Sequence, residues 1–428
     1  MTLIYIILFL LPVGMAHGAN TLNLPSAQIA GVTERPSLEA IRQSIIVSQK
    51  DEQRLFGKLF PQISGSANAL LAATSVSNAS SSNETACTLS LQGSQILFNL
   101  PGKIQGQIAA LTTQRSTYQY QASSHEVRYT VSTNFLQAWL LQTKAPLIAA
   151  LATHTDELEK NNNELRRINS INTITWAATA ATIAQNRAVI TGYPLAAASS
   201  LQVLRQSMGV GYAHAEPIIE LVYDLDQPLP KRTLVQKYID LAYANRPEIK
   251  DKDVAIQQQE LTAKSYRYNH LPTISMQGNL STTPTGANVM KGQSASIGVS
   301  LQWSFFDGTQ SMRSAEIADA NKLRVSFEKQ ELKNSIATAI VNTYNTLCTN
   351  EKMVEVARAR VAAQEALFSQ TTAAFAAGTV DALVLAKDAY DYAAALHDLR
   401  TQQVILHTNW QTLAWQCGYP ISGVFNES

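Results

Sequence analysis

From Thr309 to Ala377 the chain has neither glycine nor proline, and past Gly378 it has neither again until Gly418. So few breakers exclude a succession of short elements and leave two long helices meeting at one turn. Charge is scarce as well: Asp, Glu, Lys and Arg make up 15% of the residues, and the net charge is +1. That balance gives no footprint for nucleic acid. Cys87, Cys348 and Cys417 form no C-x-x-C pair and have no histidines at ligand spacing, so no metal site is expected. With a turn at Gly378, Cys348 lies 30 residues before it and Cys417 lies 39 after it. The mismatch is roughly 13 Å along paired helices, beyond disulfide reach, and predicts three thiols. The words of common catalytic sites are missing too. There is no H-E-x-x-H and no G-x-S-x-G, and Gly102-Lys103 and Gly209-Val210-Gly211 are only fragments of nucleotide-binding loops. No enzymatic activity and no cofactor are expected.

Long apolar runs are confined to the start. MTLIYIILFLLPVGMAHGAN is apolar from Leu3 to Met15 and then reads Ala16-His17-Gly18. The run falls short of the roughly 20 residues that span a bilayer, and small residues stand at cleavage spacing. An export signal over 1–18 is expected, leaving 19–428 as a single domain that starts at Ala19, with no cysteine there to carry a lipid. Any membrane insertion would have to be by β-strands.

What is present is written twice. Arg35-Pro36 recurs as Arg246-Pro247, Pro61-x-Ile63-Ser64 as Pro272-x-Ile274-Ser275 and Asn68 as Asn279, all 211 apart. Ser90-Leu91-Gln92 recurs as Ser300-Leu301-Gln302 at 210, and Gly209 as Gly418 at 209. A near-constant offset means duplication, with repeats over about 35–210 and 246–419 that are expected to pack together. Each repeat reads helix, strand, loop, strand, long helix, turn, helix. The opening helices start at Pro36 and Pro247, a favoured first helical position, and are expected to run to Phe60 and Leu271.

Strands are expected near 61–74, 86–98, 272–282 and 293–306. In the last of these, Ala295, Ile297, Val299, Leu301 and Trp303 alternate with Ser294, Ser296, Gly298, Ser300, Gln302 and Ser304. Period two means one apolar and one polar face. Such a sheet either covers a protein core or forms part of a membrane barrel with lipid outside and water inside. The polar face holds Ser, Gln and Asn without Lys or Glu, which suits a lumen. Strand lengths near 10 residues suit a tilted crossing. Phe98, Trp303, Phe305 and Phe306 would then form an aromatic girdle. Four strands cannot close a barrel whose smallest members have eight, so several chains would share one.

The 69 residues from Thr309 to Ala377 make a helix of roughly 100 Å. Beyond Gly378 the seam Ala382, Leu385, Ala389, Tyr392, Leu396, Leu399, Gln403, Leu406, Trp410, Leu413, Cys417 alternates steps of three and four, the spacing of supercoiled helices. Gly378 is expected to end one helix in the left-handed conformation, with Thr379 or Asp381 capping the next. The first repeat differs. Its long helix, over about 106–169, contains Pro146, which predicts a break near Ala145. Its turn carries Asn169 and Asn172 where the second has glycine, and asparagine is the next most tolerant residue there. A secreted antiparallel coiled-coil scaffold or adhesin accounts for the helices but not for the alternating strands.

The duplicated plan, the words Leu97-Phe98-Asn99 and Phe305-Phe306-Asp307-Gly308, and the turn Phe375-x-x-Gly378…Asp381-x-Leu383 resemble the TolC-type outer membrane efflux and secretion channels. The likeness runs from about Pro36 to Gly418 and is stronger in the second repeat. It implies a mainly α fold with a small β part, and a homotrimer. Three chains would share one 12-stranded barrel in the outer membrane of a Gram-negative type of cell, continued by an α-helical tunnel across the periplasm. The segment near 194–245 would join an equatorial belt. The turns would meet a periplasmic adaptor and an inner-membrane RND or ABC transporter. Asp381 matches an acidic position lining the family's constriction, whereas the acidic residue often found three positions on is Val384. Gly378, Phe375, Thr379, Asn169 and Asn172 would shape the same narrow end.

Overall fold

The computed structural model describes residues 21–74, 82–211, 220–230, 232–282 and 293–418. The expected export signal, much of the strand-joining loops and the tail after Gly418 lie outside them. The chain is mainly helical with a small β part. Its residues gather into two compact units, and neither coincides with a repeat. One takes Ser37–Ser124 and Ile239–Ala339; the other takes the described parts of Met1–Pro36, His125–Tyr238 and Ile340–Ser428. Each unit therefore draws on both repeats.

In the unit of 37–124 and 239–339, α2 (Pro36–Gly57) leads into β2 (Gln62–Thr74) and β3 (Ser82–Phe98). The second repeat supplies α6 (Val235–Asn245), α7 (Pro247–Arg267), β5 (Thr273–Thr282) and β6 (Gln293–Gln302). The opening helices stop a few residues before the expected prolines, tightening first into short turns such as Leu59 N–H to Phe56 O at 3.0 Å. The strands form one antiparallel sheet in the order β2-β3-β5-β6. Its register keeps like with like. Ala67 faces Leu89, Leu91 faces Leu280, and Met276 faces Val299, while Ser66 faces Ser90, Gln92 faces Asn279 and Ser275 faces Ser300. A bulge between Ile96 and Phe98 shifts that register and sets Phe98 opposite Ile274, on the apolar side.

Two helices bound this unit's second half. α7 packs along the start of α8 (Gln310–Ala376) through a run of ion pairs, Lys252–Glu328 at 2.7 Å, Lys329–Asp253, Lys322–Glu260 at 2.9 Å and Arg267–Asp319. β6 ends at Gln302, not near 306 as expected. Trp303 turns its Nε1–H to the His270 carbonyl at 2.9 Å and its ring lies 4.4 Å from that of Phe305, so the backbone leaves the sheet there. Asp307 then accepts from Ser311 N at 2.9 Å and starts α8, just as Asn99 accepts from Gly102 N at 2.9 Å at the start of α3 (Leu100–Gln142).

The other unit holds β1 (Thr21–Asn23), α1 (Leu24–Glu34), α4 (Ala145–Arg167), α5 (Thr173–Ser207), β4 (Glu220–Val222), α9 (Ala382–Gln416) and the remainders of α3 and α8. β1 pairs with β4 in parallel. Ala27, Val131, Phe135, Leu136, Trp139, Leu204 and Val404 form the core. Tyr223 packs edge-on to Phe135 and Trp139 and hydrogen-bonds His407 Nδ1 at 2.8 Å. Burial pushes the Tyr223 phenol up to about 12, so it stays protonated. Gly209, with φ of 85°, lets Arg35 approach so closely that a Cβ would lie 2.5 Å from the Arg35 Cα.

The predicted break near Ala145 is present: the first long helix is two helices, interrupted between Gln142 and Ala145 at Pro146. Pro194, the first residue of the segment assigned to an equatorial belt, lies inside α5. The seam of α9 holds in its later half, where Leu406, Trp410, Leu413 and Cys417 are buried, but nearer Gly378 the buried residues are Ala386, Asp388 and Ala395. There α9 is packed by α4 as well as α8, so no single stripe serves both. Cys348 and Cys417 form no disulfide; the Cys87 side chain lies outside the described residues.

Candidate functional site

Two turns in one unit hold the residues singled out for the narrow end. In the second, Gly378 has φ of 71°, its N–H meets the Phe375 carbonyl at 2.9 Å and Thr379 N–H meets the Ala374 carbonyl at 3.0 Å. That pair of bonds is the left-handed helix stop that glycine favours. The first turn reproduces it with Asn169, φ 53°, whose N–H meets the Arg166 carbonyl at 3.1 Å while Ser170 N–H meets that of Leu165 at 2.9 Å.

The next helices start alike but are capped differently. Asn172 and Asp381 are both extended and both stand at the N-cap. Asn172 Oδ1 accepts from Thr175 N at 2.7 Å. The Asp381 carboxylate makes no capping hydrogen bond, contrary to expectation. Thr379 does not cap α9 either, because its hydroxyl donates to the Ala374 carbonyl at 2.9 Å and closes α8. Asp381 is thus an exposed charge that the local fold leaves unengaged as a cap. Around the turns Ile168, Ile174, Phe375 and Val384 are exposed. Arg166 stacks on the Trp176 ring at 3.7 Å and Arg167 pairs with Glu164 at 2.9 Å, so both basic residues of the first turn are held within their own hairpin.

Above the turns the helices are fixed side by side. Thr371 donates to the buried Asp388 at 2.6 Å, Phe368 stacks on Tyr392 at 5.8 Å and His154 stacks on Tyr390 at 5.9 Å. Burial lowers the His154 pKa, partly opposed by Asp391. None of these pairings was evident from periodicity, since each joins residues from distant segments or an unusual buried acid.

The sheet is the second candidate surface. Ile63, Leu91, Leu280, Ile297, Val299 and Leu301 are exposed on its apolar face. On the opposite face hydroxyls pair across strands, Ser66 with Ser90 at 2.7 Å, Ser275 with Ser300 at 2.8 Å and Ser281 with Ser294 at 2.6 Å. β2 and β6 stand at the two edges with no further strand beside them among the described residues. Phe98, Trp303, Phe305 and Phe306 are exposed at one end of the sheet. Among the described residues no helix is long and apolar enough to cross a membrane, and no cluster of candidate metal ligands is found.

Residues 238–416 match the family model of the outer membrane efflux proteins. No curated protein sequence matches the chain. Solved structures share its fold across nearly the whole length. The open-state MtrE outer membrane channel of Neisseria gonorrhoeae has a TM-score of 0.74 at 14% identity, over 93% of this chain and 89% of that one. The CmeC outer membrane channel of Campylobacter jejuni gives 0.71 at 14%, over 93% and 86%. The outer membrane protein VceC of Vibrio cholerae gives 0.71 at 13%, over 93% and 96%. The resemblance to TolC-type channels holds, in the family match of the second repeat and in the fold of the whole.

Proposed function

From this TolC-type channel fold, we propose that the protein is a passive exit duct of the outer membrane, built as a homotrimer. One observation carries the reading: a four-stranded sheet with an exposed apolar face, a serine-rich opposite face and two open edges. A strand edge left unpaired in contact with lipid is untenable, because its N–H and C=O groups have no water to bond. Joining β6 of one copy to β2 of the next would close 12 strands and remove every edge. The apolar faces would meet hydrocarbon, the serine face would line water, and Trp303, Phe305, Phe306 and Phe98 would sit near an interface.

The turns at Asn169–Asn172 and Gly378–Asp381 would form the narrow periplasmic end. Three copies of Asp381 around one axis would repel each other and draw cations. The exposed Ile168, Ile174, Phe375 and Val384 offer an apolar surface for a periplasmic adaptor, with an inner-membrane RND or ABC transporter as the energy source. The match to an efflux family favours small molecules as cargo over a protein secretion role. Purification from an outer-membrane fraction tests the reading. A detergent-extracted trimer that conducts ions across a planar bilayer supports it; a monomer soluble without detergent and silent in the bilayer refutes it and restores the coiled-coil scaffold.

A further inference from the structure

The two helical hairpins of the unit that holds the two turns differ in continuity. Pro146 has no N–H to offer the Gln142 carbonyl. α3 accordingly stops at Gln142, Lys144 N–H reaches only the Leu141 carbonyl at 3.1 Å, and the regular ladder resumes with Ile148 N–H on the Lys144 carbonyl at 3.1 Å. Side chains from two other helices reach the carbonyls around this break. The Tyr193 hydroxyl of α5 donates to Leu141 O at 3.1 Å and lies 3.4 Å from Gln142 O. Arg400 of α9 donates to Thr143 O at 3.3 Å.

Tyr193 directly precedes Pro194, which sits inside α5 and removes that helix's own bond to Ile190. Pro146 lies 23 residues before Asn169 and Pro194 lies 25 after it. Both legs of the hairpin are therefore weakened at one height, and Tyr193 bridges them there. At the 209-residue offset the second hairpin has Glu355 and Gln403, and α8 and α9 run through unbroken. We infer that α4–α5 carries a transverse hinge at Pro146 and Pro194, bridged by Tyr193 and Arg400, on which it flexes relative to the unbroken α8–α9 pair when the tip opens. The bending partner surface is the α4–α9 contact that includes His154 on Tyr390. Opening as such rests on the channel reading; the hinge does not.

Hydrogen exchange on the detergent-solubilised full chain separates the two. Peptides over 143–150 should exchange faster than those over 352–359, and Tyr193→Phe with Arg400→Met should speed the former about tenfold more, the change expected for losing roughly one buried hydrogen bond. Pro146→Ala with Pro194→Ala should slow them to the level of 352–359 and reduce open-state conductance in planar bilayers. Equal exchange at the two levels in the unmodified chain, or no response to Tyr193→Phe with Arg400→Met, overturns the hinge. Altered exchange with unaltered conductance overturns its part in opening. If the unmodified chain does not conduct at all, the channel reading falls, and the exchange data alone decide the hinge.

Discussion

Asn169 and Gly378, 209 positions apart, hold the same left-handed backbone at matching turns, with φ of 53° and 71°. A Cβ on Gly378 would meet no atom within 4 Å, so its substitution acts through the backbone alone. Gly378→Ala should cost about 1 kcal/mol and Asn169→Gly almost nothing. Thermal unfolding followed by circular dichroism compares the two, and equal losses would contradict the shared geometry.

Asp381 and Asn172 separate charge from capping. Asn172 carries a capping hydrogen bond, so Asn172→Ala should lower stability by about 1 kcal/mol. Asp381 carries none, so Asp381→Asn should leave stability unchanged while altering cation selectivity or divalent block in single-channel recordings. Unchanged selectivity would remove Asp381 from the constriction.

Gly209 is fixed twice over, by its φ of 85° and by the Arg35 backbone against it. Gly209→Ala should cost at least about 2 kcal/mol, combining left-handed strain with a clash that only backbone movement relieves. A folded yield and melting temperature equal to those of the unmodified chain would show that the contact is dispensable.

Three histidines should make the unit that holds the two turns sensitive to acid. Burial is the largest influence on His154, His397 and His407, and each is held below the usual imidazole value. Between the folded and unfolded values the unfolded chain binds more protons. Stability is therefore complete above about pH 6.5 and declines as pH falls through the folded values. Melting temperatures should drop between about pH 7.5 and 5.5, and His397→Gln should narrow that drop. A melting temperature that rises on acidification would reverse the sign.

Val299 and Ser300 are neighbours on opposite faces of β6. If the apolar face meets lipid, Val299→Lys should cost about 2–4 kcal/mol and reduce insertion, whereas Ser300→Lys should insert normally and shift ion selectivity. Heat-modifiability on gels and outer-membrane yield report insertion, and equal tolerance of both lysines would place water on both faces.

The fold was legible where periodicity is strict. Period two marked the strands, the lack of breakers marked α8 and α9, and Pro146 marked the break after α3. What escaped was set by contacts between distant segments. β1 and β4 are three residues each, too short to carry a pattern, and exist because they pair with one another. Trp303 reads as the next residue of an alternating strand, yet its bond to His270 draws it out. That α5 continues through Pro194 was not legible either. At the two turns the positions of Gly378, Asn169 and Asn172 follow from backbone chemistry visible in the sequence. The missing cap at Asp381 and the Tyr193 and Arg400 bonds do not, because each depends on where a side chain finds its partner.

The cross-strand serine pairs have a consequence for anything that moves past them. Each hydroxyl in Ser66–Ser90, Ser275–Ser300 and Ser281–Ser294 already has a neighbour's oxygen within bonding distance. In each pair one hydroxyl donates and the other keeps its hydrogen for water, so the face stays wet without carrying a charge. If it lines a lumen, it would hold a solute no more tightly than water does, and selection among cargoes would fall to groups elsewhere.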